Sequence, residues 1–336
     1  MTDIHDRPVE AQRTRRVAVV YNPVKIDLDH VREVVHSAAR DGGWAEPVWF
    51  ETSESDPGAG ATQEALKHRP EVVIAAGGDG TVRAVAEVVA GSDAALALLP
   101  SGTGNLLARN LNVPLNDVSA AVDLAFGQDE WAIDVGEITI RRVDGSRERR
   151  SFLVMAGVGL DAKMPAATDD ELKKKASWLA YVKAIAVALR DQSNLGGRIQ
   201  LDERPARRLS AHTVIDANCG SLPGKILLLP EAQVDDGVLD VVMFRPKHLL
   251  GWVQIITKVF WENGIVDRVR FLRRFRTPDT DALRYLKGRR FRAQLSKPEQ
   301  IELDGDEFGT TTGFAVRLAA GHLTIRAPQP APRTQS

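Results

Sequence analysis

Along the first third of the chain, short apolar runs alternate with longer stretches whose apolar positions recur at helical spacing. Val17-Ala18-Val19-Val20-Tyr21, Val72-Val73-Ile74-Ala75-Ala76 and Leu96-Ala97-Leu98-Leu99 are built of β-branched or small residues and end at turn residues. Strands buried on both faces read this way, because they have no wet face to alternate with. Pro47-Val48-Trp49-Phe50 predicts a further strand. Val31 to Ala39, Ala59 to His68, Thr81 to Val89, Leu106 to Leu111 and Val118 to Phe126 predict helices. Strands separated regularly by helices predict a mostly parallel, three-layer α/β sheet, whose ligands gather at the carboxyl ends of the strands.

After Trp131 the pattern becomes one of short strands: Ile133 to Ile140, Ser151 to Ala156, Ile199 to Leu201, His212 to Ala217, Leu227 to Leu229, Leu239 to Phe244, Phe291 to Leu295, Ile301 to Leu303 and Ala315 to Leu318. That spacing predicts an antiparallel, β-rich, sandwich-like domain. Helical insertions are expected at Asp170 to Arg190 and Lys247 to Phe260. The expected organisation is an α/β domain over 15–137, a β-rich domain over 138–313, and loose termini at 1–14 and 329–336.

Bulk composition narrows the class. With 336 residues, 43% hydrophobic and 26% charged, the chain has room for two domains. A formal charge of −1 gives no global argument for nucleic acid. Cys219 is the sole cysteine, so no internal disulfide is possible and a reducing compartment fits best. No stretch approaches the roughly 18 apolar residues of a spanning helix, and Met1 to Arg16 lacks a signal-peptide core, so a cytoplasmic protein is expected. Seven scattered histidines give no zinc spacing.

Charge is nevertheless segregated. Residues 245–292 carry thirteen arginines and lysines against four carboxylates, interleaved with Phe260, Trp261, Phe271, Leu272 and Phe275. An anionic bilayer surface attracts such a segment, each well-placed cation contributing about 1 kcal/mol. A solvated surface over core helices carries similar weight, and nucleic acid is disfavoured for want of a stacking platform.

The chemistry centres on Gly77-Gly78-Asp79-Gly80-Thr81, where a buried strand empties into a glycine turn and a helix begins. Glycines let backbone amides approach an anion, and a helix start adds unpaired donors. Asp79 would repel a phosphate unless a cation lay between them, which suggests a Mg²⁺-nucleotide site; a helix N-cap aspartate is an equally weighted alternative. No Walker A sequence is present. A second glycine turn, Pro100-Ser101-Gly102-Thr103-Gly104-Asn105, follows the next strand, so two amide-rich turns can cradle one triphosphate. Two acidic elements come later. Pro230 to Asp240, with the paired aspartates of Asp235-Asp236-Gly237 and free carbonyls, could hold a hard cation or be an ordinary Asp-Gly turn. Asp304, in Leu303-Asp304-Gly305-Asp306, could accept a proton from an attacking hydroxyl or be a turn aspartate.

Taken in order, Asn22-Pro23, the two glycine turns, Gly157-Val158-Gly159-Leu160-Asp161-Ala162, Asp235-Asp236-Gly237 and Asp304-Gly305-Asp306 resemble the diacylglycerol kinase catalytic family, specifically its soluble bacterial lipid kinases. The resemblance runs from about residue 15 to 326, and it implies an ATP-binding domain over 15–137 completed by the returning chain at about 314–328, with the lipid substrate on the domain over 138–313. It implies ATP- and Mg²⁺-dependent phosphorylation of a lipid hydroxyl, with diacylglycerol the leading acceptor. It further implies ATP contacts from Asn22, Thr52, Gly77, Gly78, Asp79, Gly80, Thr81, Thr103 and Asn105, and a proton acceptor at Asp304 supported by Asp306. Asp79 and Asp134 are implied for the catalytic Mg²⁺, and Asp236 with the carbonyls of Gln233 and Val238 for a structural one. Partners expected are a lipid substrate and an anionic membrane surface, with a homodimer left open. Arg83-Ala84, Leu106 and Asp306 depart from the family pattern, which implies a thinner or rearranged Mg²⁺ network. An NAD kinase and a non-catalytic nucleotide or lipid sensor remain as alternatives.

Overall fold

The computed structural model describes residues 15–159, 195–222, 226–227, 229, 232–245 and 283–330. The helices expected at 170–190 and 247–260, the Leu160-Asp161-Ala162 motif, the basic segment between 246 and 282, and the termini 1–14 and 331–336 lie outside the described residues.

The first third forms β1 (Val17–Tyr21), α1 (Leu28–Asp41), β2 (Val48–Glu51), α2 (Ala59–Lys67), β3 (Val72–Gly77), α3 (Asp79–Val89), β4 (Ala95–Pro100), α4 (Leu106–Asn110) and α5 (Val118–Phe126). Its strands pair in parallel in the order β4-β3-β1-β2. Every residue of β1 and β3 is buried, as the unbroken apolar runs require, with α1 packed beside α5 and α2 beside α3. α1 starts three residues before Val31, the expected first residue, because Asp27 caps it, accepting from the His30 amide at 3.2 Å. β1 lies between β2 and β3, so the connections diverge from it. The switch point therefore falls where β1 and β3 end, at Asn22 and Gly77.

The remainder comprises β5 (Glu130–Arg141), β6 (Arg147–Phe152), β7 (Met155–Val158), β8 (Leu195–Leu201), β9 (Arg207–Ala211), β10 (Thr213–Ala217), β11 (Ser221–Leu222), β12 (Ile226–Leu227), β13 (Leu239–Phe244), β14 (Leu283–Gly288), β15 (Arg290–Leu303) and β16 (Asp306–Arg326). Their mutual pairings are antiparallel. They surround a second apolar cluster that includes Phe152, Phe291, Ile301 and Leu303.

β16 joins the halves. Its early residues pair with β15 and β5, and at its far end Ile325 and Arg326 pair in parallel with Leu96 and Ala97 of β4. The resulting path, β14-β13-β10-β7-β15-β16-β4-β3-β1-β2, is continuous. The apolar pattern predicts only Ala315 to Leu318 of this strand. Gly309, Gly313, Gly321 and Thr310-Thr311-Thr312 mask the rest, and the register shifts between Ala319 and Leu323 around Gly321 (φ +60°). β15 is likewise one strand where two are expected, interrupted by a register shift around Pro298. β9 is hidden in the sequence by its exposed Arg207 and Arg208.

Candidate functional site

The carboxyl ends of the parallel strands carry the first group of candidates. Asn22 follows β1; its amide donates to the Ala76 carbonyl (2.9 Å), and its side-chain oxygen accepts from the Val24 amide (3.0 Å). Thr52 follows β2, buried, its amide bonded to the Tyr21 carbonyl (2.9 Å). Gly77 closes β3, and a Cβ there would meet the Thr81 Cβ at 2.7 Å, so no side chain fits. Thr81 is buried beneath the loop and Thr103 is exposed at its rim.

The two glycine turns pack backbone to backbone. A Cβ on Gly102 would stand 2.8 Å from the Gly78 Cα, and the Ser101 amide donates to the Gly77 carbonyl at 3.0 Å. Asn105, in the left-handed region at φ +47°, closes its own turn through Gly102: its Oδ1 accepts from the amide (2.9 Å) and its Nδ2 donates to the carbonyl (2.8 Å). Asp79 binds one turn to the other, accepting from the Asn105 amide at 2.8 Å and the Leu106 amide at 2.5 Å. Burial raises its carboxyl above the ordinary range and the Asp306 charge adds to this, while those two amides oppose it.

Asp304 arrives from the other half. Leu303 pairs with Asp306, leaving Asp304 (φ +50°) and Gly305 (φ +89°) as the two central residues of a tight hairpin between β15 and β16. Positive φ at both positions is what an Asp-Gly hairpin supplies. The carboxylate is 4% exposed as a residue and takes three amides: Leu153 onto Oδ2 (2.9 Å), Val154 (2.8 Å) and Met155 (3.0 Å) onto Oδ1. Burial nevertheless outweighs those amides and the nearby Arg83 charge, and the carboxyl is pushed up to about 6. Oδ2, with a single donor, keeps a lone pair for a further hydroxyl.

This hairpin reaches the first glycine turn and the residue that follows the second. A Cβ on Gly80 would lie 2.9 Å from Asp306 Oδ2, and one on Gly305 would lie 3.9 Å from the Leu106 side chain. Asp306 is held by Arg83, whose Nη2 donates to Oδ2 at 3.0 Å and whose guanidinium lies 4.4 Å from the Phe308 ring centroid. Two departures from the family pattern, 223 positions apart, are thus one ion pair, with Arg83 only 7% exposed. In the sequence they stand as two unrelated substitutions. No motif marks Asn218 either, a buried side chain whose Nδ2 donates to the carbonyls of Asp134 (2.9 Å) and Leu153 (3.1 Å).

Asp134 belongs to a different grouping. Its carboxylate accepts from the amides of Gly237 and Gly321, each at 2.7 Å, and its own amide donates to the Val234 carbonyl at 2.7 Å. It therefore ties the 233–238 turn and the β16 bulge to β5, and both its oxygens are engaged there. Within that turn Asp236 Oδ1 accepts from the Val238 amide (2.9 Å). Burial raises the Asp236 carboxyl, and the charges of Asp134 and Asp235 add to this against Lys287.

Among the described residues no group of three or more histidines, cysteines and carboxylates is arranged to hold a metal. A Mg²⁺ ion bound chiefly through phosphates needs only one or two carboxylates. Asp79, whose carboxyl is raised by burial and further by the neighbouring charge, and Asp306 fit that smaller set.

Comparison with known proteins agrees with this architecture. Residues 16–138 match the diacylglycerol kinase catalytic domain, and residues 154–326 match the YegS C-terminal NAD kinase beta sandwich-like domain. A probable YegS-like lipid kinase of Pseudomonas putida is 32% identical over 322 residues, covering 94% of this chain and 97% of that one. The diacylglycerol kinase of Bacillus subtilis is 24% identical over 321 residues, covering 94% and 97%. The chain spans about half of a longer relative, an uncharacterized Synechocystis protein, 27% identical over 259 residues that make up 76% of this chain and 54% of that one. In fold, the chain is similar to the crystal structure of a diacylglycerol kinase from Bacillus anthracis, with a TM-score of 0.64, 18% identity and coverage of 94% and 98%. With both domain models matched in order and the glycine turns facing the Asp304 hairpin, the chain belongs to the diacylglycerol kinase-like family of lipid kinases.

Proposed function

We propose that this protein transfers the γ-phosphate of ATP to the primary hydroxyl of diacylglycerol, giving phosphatidic acid. The observation that carries the reading is the placement of the Asp304-Gly305-Asp306 hairpin against the Gly77–Thr81 turn and against Leu106, which follows the second turn. The amides at the start of α3 and those of Thr103 and Gly104, with Asn22, Thr52 and the Thr103 side chain around them, would bind the nucleotide at the switch point. Asp79 and Asp306 would hold a Mg²⁺ ion, which when bound neutralises charge on the phosphates. Asp236 and the carbonyls of Gln233 and Val238 would hold a second, structural ion.

The acceptor hydroxyl gives its proton to Asp304 Oδ2 as its oxygen forms a bond to the γ-phosphorus. The bond from that phosphorus to the bridging oxygen breaks, and the electron pair leaves with ADP. A carboxylate titrating at about 6 is ionised at neutral pH and is a better proton acceptor than an exposed one. Arg83 acts on the same hairpin by fixing Asp306 and by placing a positive charge near Asp304.

The acceptor is assigned by incubating the protein with radiolabelled ATP, Mg²⁺ and a panel of acceptors in mixed micelles: diacylglycerol, monoacylglycerol, ceramide, sphingosine and, in solution, NAD. Label in phosphatidic acid is expected. Label in NADP, or in no acceptor at all, would overturn the reading.

A further inference from the structure

β8–β9 and β13–β14 leave between them a cleft of about 60 Å³ that opens toward the apolar cluster of the β domain. Five arginines line it: Arg204, Arg207 and Arg208 from the β9 side, and Arg245 and Arg284 from the β13–β14 side. Its floor is apolar, formed by Ile199, Leu201, Leu209 and Met243, and no carboxylate among the described residues lines it. Arg204, Arg207 and Arg208 are exposed. None of the five forms an ion pair with a described residue; Arg245 alone is anchored, its Nε donating to the Ser210 carbonyl at 2.8 Å. Five guanidinium groups without an ion pair among the described residues, gathered in one cleft of a chain whose net charge is −1, make a local positive field complementary to an anion. A soluble anion would use the rim and leave the apolar floor idle. An anionic phospholipid uses both, its phosphate on the guanidinium forks and its proximal acyl carbons on the floor.

We infer that this cleft seats the β domain on the anionic lipid of a bilayer, separately from the turn-and-hairpin site. Its purpose rests on the lipid-kinase reading, since an enzyme whose acceptor lies in a membrane must dwell there, but its test needs no turnover. Each cation near such a surface is worth about 1 kcal/mol, so reversing three weakens partitioning on the order of a hundredfold or more.

The test is sedimentation with vesicles of phosphatidylcholine alone and with added phosphatidylglycerol. It compares the parent, the triple variant Arg204→Glu/Arg207→Glu/Arg208→Glu, and a control of equal charge change at exposed arginines elsewhere, Arg40→Glu/Arg147→Glu/Arg149→Glu. Binding that requires phosphatidylglycerol, survives in the control and is lost in the triple variant is expected. On a water-soluble short-chain acceptor the triple variant turns over as the parent does, so a failed kinase reading would show there and not in the sedimentation. Equal loss in control and variant would reduce the effect to bulk charge and overturn the inference. Retained binding in the variant, or release by millimolar inorganic phosphate at constant ionic strength, would also overturn it.

Discussion

On the parallel side of the cleft Gly78 and Gly102 approach so closely that a single added Cβ would strike backbone at 2.8 Å, whereas on the antiparallel side Asp304 is a buried side chain under three amides. The first wall offers backbone donors, and its function depends on the absence of side chains. The second offers one acceptor, and its function depends on the environment of one carboxylate. Damage to the first should therefore appear as a steric loss of nucleotide affinity. Damage to the second should appear as a loss of turnover with affinity kept.

The largest effect is expected at Asp304. Asp304→Asn should lower turnover by roughly 10²–10⁴, the range for a general base, while ATP binding by calorimetry stays within a few-fold. In the parent, turnover should rise with pH through an apparent value of about 6, because only the ionised carboxylate accepts a proton; the variant should lack that limb. The same raised value makes the folded state hold its proton while the unfolded state has lost it. Stability from this group accordingly falls as pH rises from about 4 to about 6 and is level above. A variant that loses ATP affinity as much as turnover would erase the contrast between the walls.

Next is Gly102→Ala, which drives a methyl group into the Gly78 backbone. It should cost about 1–3 kcal/mol of stability, as overpacking does, and raise KM for ATP more than it lowers kcat. Thermal unfolding and initial rates check this, and an unchanged KM would deny the first wall its role.

Asp216 sharpens the comparison by contrast. This carboxyl on β10 is fully buried, both its oxygens lack a hydrogen-bond partner, and burial alone raises it well above the ordinary range. Asp304 has amides to hold it ionised; Asp216 has none and stays neutral. The fold consequently loses stability as pH rises above about 4, where the unfolded chain ionises this group freely. Asp216→Val should gain about 1–3 kcal/mol at neutral pH and less near pH 4 by denaturant unfolding. A gain independent of pH would show that the group is paired in solution.

The smallest effect concerns Arg83 and Asp306. Asp306 is 46% exposed on its side chain, so solvent screens the pair. A double-mutant cycle with Arg83→Gln and Asp306→Asn should give a stability coupling of about 0.5–1 kcal/mol. Additive losses would mean that the two departures meet without cooperating.

Much of this was legible in the sequence because the deciding signals are local. Val72–Gly77 reads as a doubly buried strand from its own residues, and Asp304-Gly305 reads as a turn from its own chemistry. What was illegible is carried by separation. Arg83 and Asp306 look like unrelated substitutions until β16 brings them together, and Asp134 follows its strand to Gly237 and Gly321, where no sequence pattern pointed. Most of β16 was missed because its glycines and threonines break the alternation that marks a strand.

The central claim is that one triphosphate lies between the two walls, and a crystal structure with Mg²⁺ and a non-hydrolysable ATP analogue tests it most directly. The account predicts the γ-phosphate between the Gly77–Thr81 turn and the Asp304–Asp306 hairpin, within reach of a hydroxyl bonded to Asp304 Oδ2. A nucleotide bound elsewhere, or one whose γ-phosphate points away from residue 304 with the hairpin unmoved, would contradict it.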